Sequence, residues 1–341
     1  MIRFRPATAD DLAGLVALVA AGGASLTTLP PDRERLAARL AASQASFTGQ
    51  ASRAEATYLF ALEDEDGRLA GVSGIDAAVG LVQAWYAYRV GLATHASAEL
   101  GVFTRTPTLF LTNDHTGQSE LCSLLLAPAH RRGGMGAVLS KARLLFIAEH
   151  RERFGAKLIA ELRGVADGNG RSPFWEGLGR HFFSMDFSRA DHLTGIGRKS
   201  FVAELMPRHP VYANLLPPDA RDAIGRTHAD TEPARRLLES EGLRYEGLVD
   251  IFDAGPVLEA TLDDVGAIRH SRRYEAAAGD EEGGVPWLVA NTRFGDFRAG
   301  LVRADPRGDH FPLGTAAIAA LGIRPGDAVR AVPLHPSDRT G

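Results

Sequence analysis

Apolar positions along this chain recur with two periods, and the changes of period mark its elements. Residues 2–5 alternate as a short strand, and Thr8 with Asp11 three residues on gives a helix-start signal. Leu12, Leu15, Val16 and Val19 then form one stripe at helical spacing, which Gly22 and Gly23 close. A polar loop over 25–30 leads to a second helix expected over 32–43, carrying Leu36 and Leu40. Residues 58–62 and 69–75 read as strands around the turn at 64–67. Two more strands are expected at 86–90 and 108–112, with His95 on the connection between them. Residues 121–126 are a short apolar run, the length of a strand buried on both faces, and Pro128 ends it. From Val138 the apolar side chains fall at Val138, Leu139, Ala142, Leu145 and Phe146, one face of a long helix. A further strand follows at 157–162.

Between the apolar strand and that helix lies Arg131-Arg132-Gly133-Gly134-Met135-Gly136. Backbone N–H groups at a helix start lack intrahelical partners and sit at the positive end of the helix dipole, which makes the turn an anion site. Gly134 and Gly136 also lack the β-carbons that would hold a pyrophosphate away. A P-loop would need Gly-Lys-Ser/Thr after four spacers, which this chain does not supply. The dinucleotide fingerprint would need a small residue where Leu139 stands. Arg-x-x-Gly-x-Gly behind a strand that ends at Pro128 instead resembles the coenzyme A site of the GNAT acyl-CoA N-acyltransferase superfamily. The order of strand, two helices, hairpin and cradle strand is that of a GNAT domain, of α+β class. Residues 80–117 exceed what a simple GNAT fold needs.

Beyond the cradle helix the pattern partly repeats. A Gly- and Asp-rich loop over 163–171 precedes a short helix that Ser172 can cap, with Pro173 at its first position. Val202-Ala203-Glu204-Leu205 echoes Ile159-Ala160-Glu161-Leu162, and Glu232-Pro233-Ala234-Arg235 opens another helix before a strand near Tyr245. The echo points to a second, partial GNAT-like unit. A Pro-rich passage over 206–218 reads as a domain connection, and the acidic, Gly/Ala-rich stretch 274–284 as an exposed loop. Short strands at 287–290, 297–302 and 328–332 suggest a small β-barrel-like C-terminal region. The expected division is 1–200 as a GNAT domain with the cradle, 201–275 as a second unit completing the active site, and 285–341 as the β-rich end.

Composition narrows the classes. The 341 residues are 45% hydrophobic and 23% charged, as in an ordinary globular protein of one large or two medium domains. A net charge of −4 provides no basic field for nucleic acid or an anionic membrane. Cys122 is the one cysteine, so no intrachain disulfide forms, and inside a buried strand it reads as an apolar filler. The start of the chain has no signal-peptide pattern, and the apolar run from Leu12 is amphipathic and too short to span a bilayer, so a cytoplasmic location is expected. The histidines show no metal-ligand spacing, and neither a metal nor a permanent cofactor is expected.

Longer strings carry a more specific resemblance. TLFLTNDHTGQSELCSLLL, SPFWEGLGRHFFSMDFSRAD, VAELMPRHPVY, IGRTHADTEPARRLLESEG and VDIFDAGP are similar to the arginine N-succinyltransferase family, as are RPATADDL and SLTTLP near the start. The resemblance is densest over 107–256 and weakest after about residue 275. It is closer to the catalytic-type enzyme and to the β subunit of arginine/ornithine succinyltransferase than to the α subunit, which lacks a good glycine cradle. It implies transfer of succinyl from the co-substrate succinyl-CoA to the α-amine of L-arginine, the first step of arginine catabolism by the succinyltransferase route. It also implies a homo-oligomer, or a hetero-oligomer with a paralogous α subunit. The alternatives are a GNAT enzyme that uses ornithine or another acyl donor, and a non-catalytic subunit.

An attacking amine must be neutral and a departing thiolate benefits from a proton, so a group exchanging protons near neutral pH is required. The resemblance assigns the proton donor to His228, in the polar turn before the helix that begins near Glu232. His115 and Glu120 compete for the role of general base. The resemblance places succinyl-CoA along the backbone of Leu124, with Leu126 beside it, and the pyrophosphate at Arg131, Gly134 and Gly136. Succinyl carries a carboxylate and arginine a guanidinium, so one basic and one acidic clamp are expected, with Arg89 and Asp167 as candidates.

Overall fold

The computed structural model describes residues 2–22, 28–187, 189–190, 204–207, 209–279 and 283–335. Its strands are β1 (Arg3–Pro6), β2 (Thr57–Glu63), β3 (Leu69–Asp76), β4 (Ala87–Ser97), β5 (Val102–Thr112), β6 (Ser119–Leu126), β7 (Lys157–Glu161), β8 (Val211–Tyr212), β9 (Arg244–Asp250), β10 (Pro256–Thr261), β11 (Arg272–Ala278), β12 (Val285–Asn291), β13 (Ala299–Ala304), β14 (His310–Leu313) and β15 (Ala328–Pro333). They form one sheet in the order β14-β11-β15-β12-β13-β1-β2-β3-β6-β7-β10-β9-β4-β5-β8. Neighbours are antiparallel except for β6 with β7 and β11 with β14. No described helix is long and apolar enough to cross a membrane.

Two helices follow β1. Helix α1 (Leu12–Ala21) buries Leu15 and Leu18, and α2 (Arg33–Phe47) buries Leu36, Leu40 and Phe47. Asp32 caps α2 by accepting the Arg35 backbone N–H at 3.0 Å, and the helix runs four residues beyond its expected end. Part of the loop expected over 25–30 lies outside the described residues.

Helix α3 (Met135–Glu149) follows β6 and is buried on every side from 137 to 148, although its sequence suggested one apolar face. Strands β12, β13 and β15 and the helices Glu232–Ser240 and Gly266–His270 pack around it. Its polar residues are therefore paired: Lys141 lies 2.8 Å from Glu241 and donates to the Leu334 carbonyl at 2.6 Å. At its end Glu149 meets Arg273 and Arg330. Phe146 anchors an aromatic cluster with Phe47, Tyr58, Phe60, Phe154, Phe294 and Phe297.

Several expectations change in the fold. The C-terminal strands do not close into a barrel: β13 pairs with β1, so they extend the main sheet, whose ends are β14 and β8. Residues 274–284 were expected as a loop, but β11 takes 272–278 between β15 and β14, where ladder bonds on both edges offset its low strand propensity. His95 lies within β4 opposite Thr104, because β4 and β5 pair along eleven positions as one long hairpin. That hairpin exposes Leu92, Leu100, Val102 and Phe103. Glu204 and Leu205 are helical, so the strand echo fails where it can be seen, and Val202 and Ala203 lie outside the described residues. The passage 206–218 packs into the fold: β8 pairs with β5, and Met206, Ala213 and Leu216 are buried.

Candidate active site

Strand β6 carries a bulge. Its register against β3 jumps from Leu125↔Val72 to Cys122↔Gly74, so Ser123 and Leu124 together oppose Ser73. Ser123 takes φ 54°, a left-handed conformation that is rare for a non-glycine residue. On the other edge, the parallel pairing of β6 with β7 stops after Ser119↔Leu158 and Glu120↔Ile159. The two strands then diverge, because β7 continues beside β10. From Leu121 onward, β6 presents its backbone to a gap rather than to a neighbour, so an extended amide-bearing chain could pair there as a strand would.

That gap opens into a cleft of about 1650 Å³. Leu124, Leu126, Arg131, Gly134, Gly136, Glu120, Asp167 and His228 all line it, so the chain brings most of the expected site together. Gly134 caps α3 at φ 78° and Gly133 precedes it at φ 62°, so the backbone conformation requires glycine. A β-carbon at Gly136 would stand 3.5 Å from Leu237, an ordinary contact, so packing does not demand glycine there. Arg131 donates from Nε to the Leu126 carbonyl at 3.1 Å, which folds the arginine back over the end of β6.

His228 reaches the cleft through long-range stitching. Its backbone N–H donates to the Arg163 carbonyl at 2.8 Å, and Thr227 bridges Gly164, so the turn is tied to the segment leaving β7. Asp253 accepts N–H groups from Gly164 at 2.7 Å and Gly255 at 2.8 Å, fixing the same segment to the β9–β10 turn. Burial, then the neighbouring Asp250, raises the Asp253 carboxyl well above the usual carboxylate range. The His228 side chain is 18% exposed, and its Nδ1 accepts the Asp230 backbone N–H at 3.2 Å. A neutral ring in that arrangement carries its proton on Nε2.

Two expected residues lie elsewhere. His115 does not line the cleft: it is buried against Trp85, with Nε2 2.8 Å from Glu259. Its ring is held against β10, so it offers no group to the gap. Arg89 also lies off the cleft, where it pairs with Asp114 at 2.7 Å across the β4–β5 hairpin. Asp167 is present, but its Oδ1 accepts the N–H groups of Asn169 and Arg171, both at 2.9 Å, and so holds its own turn. The cleft also contains residues that the sequence reading did not single out: Arg35 and Arg39 from α2, Asp76, and the acidic group Glu161, Asp250 and Asp253 near His228. Among the described residues, no group of three or more His, Cys, Asp or Glu is placed to hold a metal.

Comparison with known proteins identifies the family. Residues 2–267 match the family described as Arginine N-succinyltransferase beta subunit, and residues 272–333 match the C-terminal domain of the same subunit. Proteins named Arginine N-succinyltransferase from Salmonella paratyphi B and Salmonella typhimurium are 49% identical over 339 residues, covering 98% of this chain and 98% of theirs. The solved arginine/ornithine succinyltransferase subunit AI from Pseudomonas aeruginosa superimposes with a TM-score of 0.89 at 34% identity, over 98% of this chain and 99% of that one. The chain belongs to the arginine N-succinyltransferase beta subunit family.

Proposed function

We propose that this chain transfers the succinyl group of succinyl-CoA to the α-amine of L-arginine. The observation that carries the reading is the gap between β6 and β7, which opens after Glu120, passes the Ser123 bulge and shares one cleft with the glycine turn and His228. The pantetheine arm lies along Leu124 and Leu126 and bonds the β6 backbone. Its pyrophosphate rests on the first turn of α3 at Gly134 and Gly136, with Arg131 alongside. The amine nitrogen attacks the thioester carbon, the C–S bond breaks, and the proton lost by the amine is balanced by the one gained at sulfur. His228 donates that proton from Nε2 and recovers the amine's proton, directly or through water. Glu120 remains the candidate base on the β6 wall. The acidic surface formed by Glu161, Asp167, Asp230 and Asp250 around His228 suits a guanidinium.

Residues 1–200 supply the cradle in this reading, and residues 201–275 complete the same site by bringing in the His228 turn. The exposed apolar tip of the β4–β5 hairpin supports work in an assembly, with a second copy or with a paralogous chain. The test uses the purified chain with succinyl-CoA and either L-arginine or L-ornithine, followed by thiol release. Release with arginine supports the reading, and preferential release with ornithine moves the acceptor. Release only after a paralogous chain is added makes this chain a partner rather than the catalyst.

A further inference from the structure

Two arginines of α2, Arg35 and Arg39, line the cleft one helical turn apart, on one face of the helix. Arg39 is anchored along one edge. Its Nη2 lies 3.1 Å from Asp76 Oδ1, 3.3 Å from Cys122 Sγ and 3.5 Å from Ser123 Oγ. Asp76 is itself fixed by the Thr57 hydroxyl, which donates to it at 2.6 Å. The other edge is open: Arg39 Nε and Arg35 Nη1 are buried and have no hydrogen-bond partner among the described residues. Arg35 also forms no ion pair among those residues. Buried guanidinium N–H groups without an acceptor are costly, and two on adjacent arginines of a cleft wall mark a place for an anion.

Their position identifies which anion. Arg39 touches Cys122 and Ser123, and the next residue, Leu124, carries the pantetheine arm in the reading above, at the end away from the pyrophosphate, where the thioester falls. In a succinyl thioester, three C–C bonds of roughly 1.5 Å each separate the thioester carbon from the terminal carboxylate carbon. A carboxylate at that remove from Leu124 falls within reach of α2, whose Arg39 already touches Cys122 and Ser123.

We propose that Arg35 and Arg39 form the acyl-end clamp of the cleft, binding the terminal carboxylate of the donor and selecting a dicarboxylic acyl-CoA over acetyl-CoA. This rests on the reading of the cleft as an acyl-CoA site. It replaces Arg89, which the fold directs to the hairpin.

The test compares parent, Arg35→Gln and Arg35→Lys, since Arg35 has no ion pair whose loss would unsettle the fold. Arg39→Gln serves as a second variant. Succinyl-CoA and acetyl-CoA are each assayed for kcat/KM, and succinyl-CoA and free CoA for equilibrium binding. Arg35→Gln should lower the succinyl-to-acetyl ratio roughly 10–100-fold, the worth of one charge-assisted hydrogen bond. The loss should lie in KM for succinyl-CoA, with free CoA bound as by the parent and partial recovery in Arg35→Lys. A parental ratio in both Arg35→Gln and Arg39→Gln overturns the clamp, as does an equal loss of free CoA binding. If the parent releases no thiol, the transferase reading fails, and the ratio of succinyl-CoA to CoA binding still decides the clamp.

Discussion

Cys122 stands in the cleft wall beside Arg39, and burial followed by the nearby Asp76 pushes its thiol up to about 12. It is therefore a protonated filler near neutral pH, as its place in an apolar run suggested. His115 shows what a sequence conceals. A histidine in a polar turn before the cradle strand looks available, yet the turn folds inward and buries the ring beside Glu259. Burial lowers its pKa below 6.5, Glu259 opposes that shift, and Lys157 adds to it. The folded state thus favours the neutral ring. Its contribution to stability is complete above the unfolded value near 6.5 and is lost as pH falls through the lower folded value. Tm measured from pH 8 down to pH 5 should fall less steeply in His115→Gln than in the parent. Half-buried His150, shifted in the same direction, keeps some slope in both. An unchanged slope would remove His115 from the acid response. Arg35 and Arg39 were illegible for a different reason: in a helix whose Leu36 and Leu40 face the core, flanking arginines read as a solvated face.

At the scale of elements, the glycine turn was legible from Gly134 and Gly136 at a helix start, and the fold adds positive φ at Gly133 and Gly134, which only glycine takes without strain. Gly134→Val adds a β-branched side chain at φ 78° and should weaken CoA binding while the fold survives. In the parent, CoA at about 100 times its dissociation constant adds about 2.7 kcal/mol of stability. A CoA-induced melting shift that is unchanged in the variant would contradict the cradle. The bulge at Ser123 left no such trace, because its support is remote. Arg143, fully buried in α3, donates to the carbonyls of Cys122 at 3.1 Å and Gly74 at 3.2 Å, across the bulge. Burial holds its guanidinium down at about 10, still charged near neutral pH. Arg143→Met keeps the bulk but strands those carbonyls, at roughly 1–3 kcal/mol for each one left unsatisfied. A lower Tm together with weaker CoA binding is expected, and a variant as stable and as tight-binding as the parent would show that the bulge holds itself. Strand β11 escaped the reading because its Arg-Arg-Tyr-Glu-Ala-Ala-Ala sequence gains strand character only from β14 and β15.

Over the whole molecule, the sheet order brings distant segments to one cleft. Strands β9 and β10 enter beside β7, so the turn before helix Glu232–Ser240 arrives over the gap that β6 and β7 leave. The long strings of residues 107–256 made the family legible. The contacts that aim His228 were not legible, since they join residues 163–164, 227–228 and 253–255, far apart in the chain, through backbone groups and the Asp253 carboxylate. The account depends most on His228 acting on a thioester held by the other half of the chain. The direct measurement is kcat for succinyl transfer to L-arginine by His228→Gln, which keeps a polar side chain but cannot exchange a proton near neutral pH. The account predicts a fall of roughly 10²–10⁴-fold, loss of one limb of the parental pH–rate profile, and parental affinity for CoA. A variant with near-parental kcat and an unchanged pH profile would contradict it.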